Sequence, residues 1–359
     1  MLATCAVMFE YDYLKNNFYK NKKVLITGHT GFKGTWLCRI LLNLGANVTG
    51  YSLLPPTQPN LFSLADVENK MNSVIADVRD LEYFQNVFTK VQPEIVLHLA
   101  AQPIVRESYK DPRYTYETNV MGTVNVLECI RQCSSVNSVL IVTTDKVYLN
   151  SERAEGYRED EPLDGFDPYS NSKSCSELVA HCYKNSFFTA NANLNNQTAN
   201  VWDNAKRQVA ISTARAGNVI GGGDFARDRI IPDCVRAMQE RKVIEVRNPH
   251  SIRPYQHVLE PLAVYLMIAA KQYEDACYAG YYNVGPDDCD CITTGELADL
   301  FCKYWNLEKD QNNQVEAYEQ FKADHPGIIL KEHIDSDLSD IVTDSSNRHG
   351  YYIFRYTEI

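Results

Sequence analysis

A glycine triplet set between a strand and a helix constrains this chain more than any other feature. In residues 22–53, KKVLITGHTGFKGTWLCRILLNLGANVTGYSL, the run VLIT reads as a short buried strand. From Thr35 onward Trp36, Leu37, Ile40, Leu41 and Leu44 recur at helical spacing, and Gly45 stands where a helix would stop. NVTGYSL supplies a second strand, so the segment is a βαβ unit with Gly28, Gly31 and Gly34 in its first turn. Glycines there permit a tight turn, a close approach of backbone to a pyrophosphate, and tight packing of helix on strand. The helix start then offers N–H groups to phosphates. A lone triplet would be weak evidence, and a purely structural turn is the bland alternative. Its placement between strand and helix favours a dinucleotide site.

The rest of the chain extends this pattern. SVIADVRD (73–80) reads as a strand ending at Asp77, a candidate adenine-edge contact, and EIVLHLAAQ (94–102) as a strand running into small residues over which a cofactor can lie. A helical stretch, TNVMGTVNVLECIRQ (118–132), leads to VLIVTTDKVY. Alternating strands and helices imply an α/β fold, a doubly wound parallel sheet of Rossmann type, with ligands beyond the strands' carboxyl ends. Asp145 and Lys146 lie at such an end, where most charged residues are only solvated loop. In DPYSNSKSCSELV (167–179), Tyr169 and Lys173 are four apart and share a helix face. A lysine near a tyrosine hydroxyl favours phenolate, so the tyrosine can take a proton from an alcohol, and Thr144 offers a partner hydroxyl. Y-x-x-x-K is common by chance, but after a glycine-rich βαβ unit and five strands chance is the minor reading.

Composition narrows the function classes. A chain of 359 residues with 45% hydrophobic content buries a large core, and a net charge of −11 argues against nucleic acid or an anionic membrane as partner. The eleven cysteines are scattered, with Cys38, Cys129, Cys175 and Cys234 in helix-like contexts, which suits reduced core thiols. Cys289 and Cys291 lack a second pair at zinc spacing, so no metal is expected. MLATCAVMFE has no basic n-region, and no apolar run is long enough to span a bilayer, so the expected location is the cytoplasm.

TGHTGFKG, HLAAQ, NVMGT, TTDKVY, YSNSK, AGNVIGGGDFARDRIIPD and RPYQHVLEPL together resemble the extended short-chain dehydrogenase/reductases, and within them the CDP-glucose 4,6-dehydratases, in order from about Lys22 to about Trp305. The resemblance implies a Rossmann domain, a smaller nucleotide-sugar domain at the C-terminal side, a cofactor recycled in each turnover, and homodimers that pair two helices from each subunit. A higher homo-oligomer stays open. The expected organisation is an extension over 1–20, a mainly NAD-binding domain over 21–212 with a surface loop at the Asn-rich 189–208, and an interleaved sugar-binding domain over 213–308. An atypical tail over 309–359 does not align with the family.

The resemblance implies a cofactor site of Gly28, Thr30, Gly31, Phe32, Lys33 and Gly34, joined by Ser52, Asp77 and Val78. Leu99, Ala100, Ala101 and Asn119 continue it up to Tyr169 and Lys173. Ser52 stands where an acid for the adenosine ribose is expected, and Lys33 sits where it would meet a phosphate, so NAD is expected with NADP left open. For the nucleotide sugar the implied residues are Gln102, Asn218, Arg229, Arg253 and His257. A guanidinium such as that of Arg253 suits a diphosphate, although any one of these arginines alone would read as a surface ion pair. His257 reads as a packing or hydrogen-bonding residue rather than a catalyst.

The chemistry implied is loss of a C6 hydroxyl from a hexose. Oxidation at C4 acidifies H5, and elimination then needs an acid for the leaving oxygen and a base for H5. Thr144, Asp145, Lys146, Tyr169 and Lys173 form the catalytic set. The resemblance gives the acid to Asp145, while related dehydratases carry Glu where Lys146 stands, which leaves the base open. An epimerase or reductase of the same superfamily would need Tyr169, Lys173 and the glycine loop but no acid after Thr144. A non-catalytic dinucleotide-binding protein would need neither pair.

Overall fold

The computed structural model describes residues 17–151, 156–188, 208–286 and 291–307. The expected Asn-rich loop, apart from Gln208, and the whole 309–359 tail lie outside the described residues, as does Cys289. Seven strands form one parallel sheet: β1 (Lys23–Thr27), β2 (Asn47–Ser52), β3 (Asn72–Ile75), β4 (Ile95–His98), β5 (Ser138–Val142), β6 (Ala210–Ala216) and β10 (Tyr281–Val284), in the order β10-β6-β5-β4-β1-β2-β3. The order reverses between β1 and β4. The crevice over their carboxyl ends is the place such a sheet offers a ligand.

The alternation along β1 explains the layering. Val24 and Ile26 face one apolar cluster and Leu25 the other, and all three are fully buried. The first cluster joins helix α1 (Phe32–Asn43) to α8 (Leu259–Glu274). The second joins α2 (Leu81–Val91), α5 (Gly122–Gln132) and α6 (Pro168–Tyr183). The expected helix after the glycine loop is α1, and Gly45 takes the left-handed conformation just past its end, at φ +76°. Tyr19 is buried in the first cluster, and its hydroxyl donates to the Leu266 carbonyl at 2.5 Å.

Two short helices, α3 (Val105–Lys110) and α4 (Pro112–Tyr116), precede a π turn over Glu117–Met121 that runs into α5. A smaller lobe holds β7 (Val219–Ile220) paired with β9 (Gln256–His257), β8 (Ile252–Pro254) paired with β11 (Cys291–Thr293), and helices α7 (Ile230–Gln239) and α9 (Thr294–Leu307). Its small core is built on Ile220, Tyr255 and Leu297. Strand β10 leaves this lobe to pair with β6, so the two regions are woven together. No described helix is long and apolar enough to cross a membrane.

Candidate active site

The glycines of the first turn have different duties. Gly28 has φ +78°, and a Cβ on it would lie 2.8 Å from the Ala100 nitrogen. On Gly34 a Cβ would lie 2.1 Å from the Gly28 carbonyl oxygen. Both contacts are with backbone, so neither position accepts a side chain without opening the loop. Gly31 is roomier, its nearest neighbour lying at 3.4 Å, and it caps α1 with no side-chain hydrogen bond. The first-turn N–H groups of Phe32, Lys33 and Gly34 are thus left for an anion. This cradle fits the pyrophosphate of a dinucleotide.

Around it, Thr30 Oγ1 donates to the Leu53 carbonyl at 2.8 Å and therefore accepts from Ser52 Oγ at 2.9 Å. Asp77 is committed to Arg79, which approaches it at 2.7 Å. Burial raises the Asp77 carboxyl, but the Arg79 contacts outweigh it and hold the group below its usual range. Val78 packs on Gly122 of α5. His29, which the sequence reading passed over, is buried against Gly50, and its Nε2 meets Ser73 Oγ at 2.8 Å. Burial lowers its pKa to about 4.

The small residues after β4 are positioned by a buried relay. Thr27 Oγ1 accepts from the Leu99 and Ala100 N–H groups, both at 3.1 Å, so it donates to His98 Nδ1 at 2.7 Å. His98 Nε2–H then faces Thr123 Oγ1 at 3.2 Å, and Thr123 donates to the Asn119 carbonyl at 2.6 Å. Asn119 lies in the π turn, whose altered ladder lets its carbonyl also accept from Ser176 Oγ on α6 at 2.9 Å. Its side chain clips the Gln102 backbone from both sides and reaches Ser172. The Gln102 amide bonds Ile104 and Thr115, which fixes the loop behind Ala101.

Helix α6 carries Tyr169 and Lys173 as the spacing predicts. Asp167 caps it, accepting from the Ser170 N–H at 3.0 Å, and Pro168 fills the first turn. Serines on its buried face bring it close to the strand-end turn, where Ser174 Oγ donates to the Val147 carbonyl at 2.7 Å. Thr144 Oγ1 donates to Asp145 Oδ1 at 2.7 Å, and Thr144 favours the ionised form of the Tyr169 phenol. The Lys146 N–H reaches Thr144 Oγ1 at 3.5 Å. Asp145 is 8% exposed, and Gly217 leaves room beside it, since a Cβ there would lie 3.1 Å from Asp145 Oδ2.

Burial holds the Tyr169 phenol up at about 12, against the pull of Thr144 and Arg229. The Lys173 ammonium donates to the Val142 carbonyl at 3.1 Å, and burial lowers it to about 8. Lys33, expected at a phosphate, turns toward the catalytic residues: it lies over the Tyr265 ring at 5.9 Å and feels Arg229, Asp145 and Lys173. Burial and those two cations bring it to about 8.

In the smaller lobe, Arg229 stands at the start of α7, paired with Asp224 at 3.0 Å and within electrostatic reach of Tyr169 and Lys33. Asn218 is exposed, its carbonyl accepting from the Gln256 N–H at 3.2 Å. Arg253 lies on β8, opposite Ile292 of β11. His257 Nδ1 accepts from the Leu259 N–H at 3.3 Å at the start of α8, and burial lowers its pKa to about 4. The structure therefore gathers Arg229 with Tyr169 and Lys33 and sets Asn218, Arg253 and His257 on the strands and loop of the smaller lobe.

Strand order, glycine cradle and the Tyr169–Lys173 helix define an extended short-chain dehydrogenase/reductase. Within that class the chain belongs to the family described as GDP-mannose 4,6 dehydratase, whose model matches residues 25–280. It is similar to the CDP-glucose 4,6-dehydratase of Salmonella typhimurium, 46% identical over 311 residues that span 85% of this chain and 84% of that one. A dTDP-glucose 4,6-dehydratase of Shigella flexneri is 31% identical over 337 residues, 88% of this chain and 85% of its own. The solved dTDP-glucose 4,6-dehydratase of Streptomyces venezuelae shares the fold, with a TM-score of 0.64 at 22% identity over 79% of this chain and 81% of that one. So does the UDP-glucose 4-epimerase of Thermotoga maritima, with a TM-score of 0.63 at 19% identity over 78% and 82%.

Proposed function

We propose that this chain is a hydro-lyase that converts CDP-glucose to CDP-4-keto-6-deoxyglucose and water. The observation that carries the reading is the contact of Asp145 with Thr144, both of which act on the Tyr169 phenol: an acid stands beside the group that takes the alcohol's proton. An epimerase of this fold needs the Tyr169–Lys173 pair but no such acid. The Salmonella relative supports cytosine as the base. NAD, held at the cradle of Gly28, Gly31 and Gly34, supplies a hydride acceptor and donor when bound.

Tyr169 takes the proton of the sugar 4-hydroxyl as C4 becomes a ketone, with Thr144 orienting the phenol and the Arg229 charge favouring phenolate. Lys173 adds positive charge below the site. The ketone acidifies H5. Lys146, half-buried in the same turn as Asp145, takes H5, and the Asp145 carboxylic acid gives its proton to the departing C6 oxygen, which leaves as water. The enone that remains takes back at C6 the hydride removed from C4, and Lys146 returns a proton to C5. Arg229 and Arg253 hold the diphosphate. Met121 and Leu178, 50% and 56% exposed beside and on the catalytic helix, support a homodimer.

Two variants test the roles. Tyr169→Phe blocks oxidation, so no reduced-nicotinamide absorbance follows addition of CDP-glucose. Asp145→Asn keeps its shape but has no carboxylic proton to give. It shows the absorbance rise yet forms 6-deoxy product about 10²–10⁴-fold more slowly. Wild-type turnover by Asp145→Asn removes the reading's chemical basis.

A further inference from the structure

Helix α6 buries one acid that the mechanism above does not use. Glu177, 1% exposed, lies one helical turn beyond Lys173 on the same face. Both of its carboxylate oxygens are bonded. Oε1 accepts from Thr143 Oγ1 at 2.5 Å, and Oε2 accepts from Thr213 Oγ1 at 2.7 Å and from Arg215 Nη2 at 3.0 Å. Three segments are thereby pinned together: the residue after β5, strand β6, and the catalytic helix. Arg215 extends the brace, donating to Tyr148 Oη at 2.7 Å just past the Asp145 turn.

Lys173 is 5% exposed, and its one described hydrogen bond goes to a neutral carbonyl. The ionisable groups that act on it or feel it are Glu177 on its own helix, His98 from β4 and Lys33 from α1; Tyr169 lies one turn back on the helix, with Asp145 acting on its phenol, and Arg215 of β6 is paired with Glu177. Burial keeps His98 neutral, at about 3. Lys33 and Arg215 are cations. The carboxylate acting on Lys173 is that of Glu177, and it opposes the loss of charge that burial imposes.

We infer that Glu177 is a positioning residue for the proposed reaction: one turn beyond Lys173 and bonded to Thr143, the neighbour of the Val142 carbonyl that holds the ammonium, it works through Lys173 and fixes it beside Tyr169. A purely structural Arg215–Glu177 pair is the competing account. A buried pair of that kind is replaceable by apolar residues of similar volume with little change in stability.

That difference supplies the test, which rests on the dehydratase reading only in its second readout. Protein labelled with 13C at lysine Cε is titrated by NMR, the Lys173 resonance being assigned by its absence in Lys173→Arg. Glu177→Gln and Arg215→Met are compared with wild type, with thermal unfolding followed alongside. Glu177→Gln lowers the Lys173 midpoint by about one pH unit or more, since a lost carboxylate neighbour disfavours the charged form. Arg215→Met breaks the same pair but keeps the carboxylate, and it does not lower the midpoint. The alkaline limb of kcat/KM for CDP-glucose moves to lower pH in Glu177→Gln by the same amount as the midpoint. An unmoved Lys173 midpoint in folded Glu177→Gln, or an equal fall in Arg215→Met, overturns the inference. Failure of wild type to consume CDP-glucose overturns the dehydratase reading and leaves the titration to decide on Glu177.

Discussion

The molecule carries two glycine-rich loops at strand ends, and they are built in opposite ways. In the first, after β1, the atoms that exclude a Cβ at Gly28 and Gly34 belong to backbone, at 2.8 and 2.1 Å. In the second, after β7, a Cβ on Gly221 would meet a Val258 methyl at 2.8 Å, one on Gly223 the Leu61 methyl at 2.5 Å, and one on Gly222 nothing within 4 Å. Backbone cannot step aside, whereas side chains rotate. The loop proposed here to cradle a pyrophosphate is thus locked by main chain, and the second, proposed to face the sugar nucleotide, keeps some adjustment. Both loops lie beside a neutral histidine, the buried His29 in the first and the half-buried His257 near Gly221 in the second.

The largest effect expected from this contrast is at Gly34. Gly34→Ala forces the loop open, costs about 3 kcal/mol or more, and abolishes dinucleotide binding in calorimetric titration. Retained affinity would break the contrast outright. Acid comes next. The two rings are neutral in the folded chain at pKa about 4 and return to about 6.5 on unfolding, so the unfolded state binds more protons between those values. The stability they confer is complete above pH 6.5 and drains away as pH falls toward 4, by up to about 3 kcal/mol per ring. Chemical denaturation across that window shows the slope, and His29→Asn flattens it.

Smaller effects belong to the second loop. Gly223, at φ +85°, loses about 1–2 kcal/mol on replacement by alanine, and the KM for the nucleotide sugar rises while dinucleotide affinity stays unchanged. A parallel loss of dinucleotide affinity would merge the two loops into one site. Gly222→Ala is the quietest change, within about 0.5 kcal/mol of wild type in thermal unfolding. A larger loss there would mean that the second loop is as tightly packed as the first.

Much of the site was legible in the chain because its signals are local. The glycine turn, α1, the strand VLIV and the four-residue spacing of Tyr169 and Lys173 all follow from near-neighbour rules, and the sheet came with them. Lys33 shows the limit. Its place inside the glycine loop leads to the expectation of a phosphate contact, while its nearness to Tyr265 and Asp145 is invisible in the loop itself, because α8 and the turn after β5 arrive far later in the chain. Glu177 was visible as a lone acid among serines on the buried face of α6, a pattern that asks for a cation, but Arg215 lies 38 residues away.

The sequence by itself determined the class of fold, the dinucleotide cradle and the identity of the Tyr–Lys pair, since each is written within a few turns or one βαβ unit. Only the tertiary structure decided that His98 links Thr27 to Thr123, that Asn119 clips the Gln102 loop to α6, that Arg229 joins the catalytic cluster from the smaller lobe, and that β10 closes the sheet beside β6. Those partners are separated by tens of residues. Their meeting depends on how burial and hydrogen bonding are satisfied across the whole core, which no local periodicity encodes.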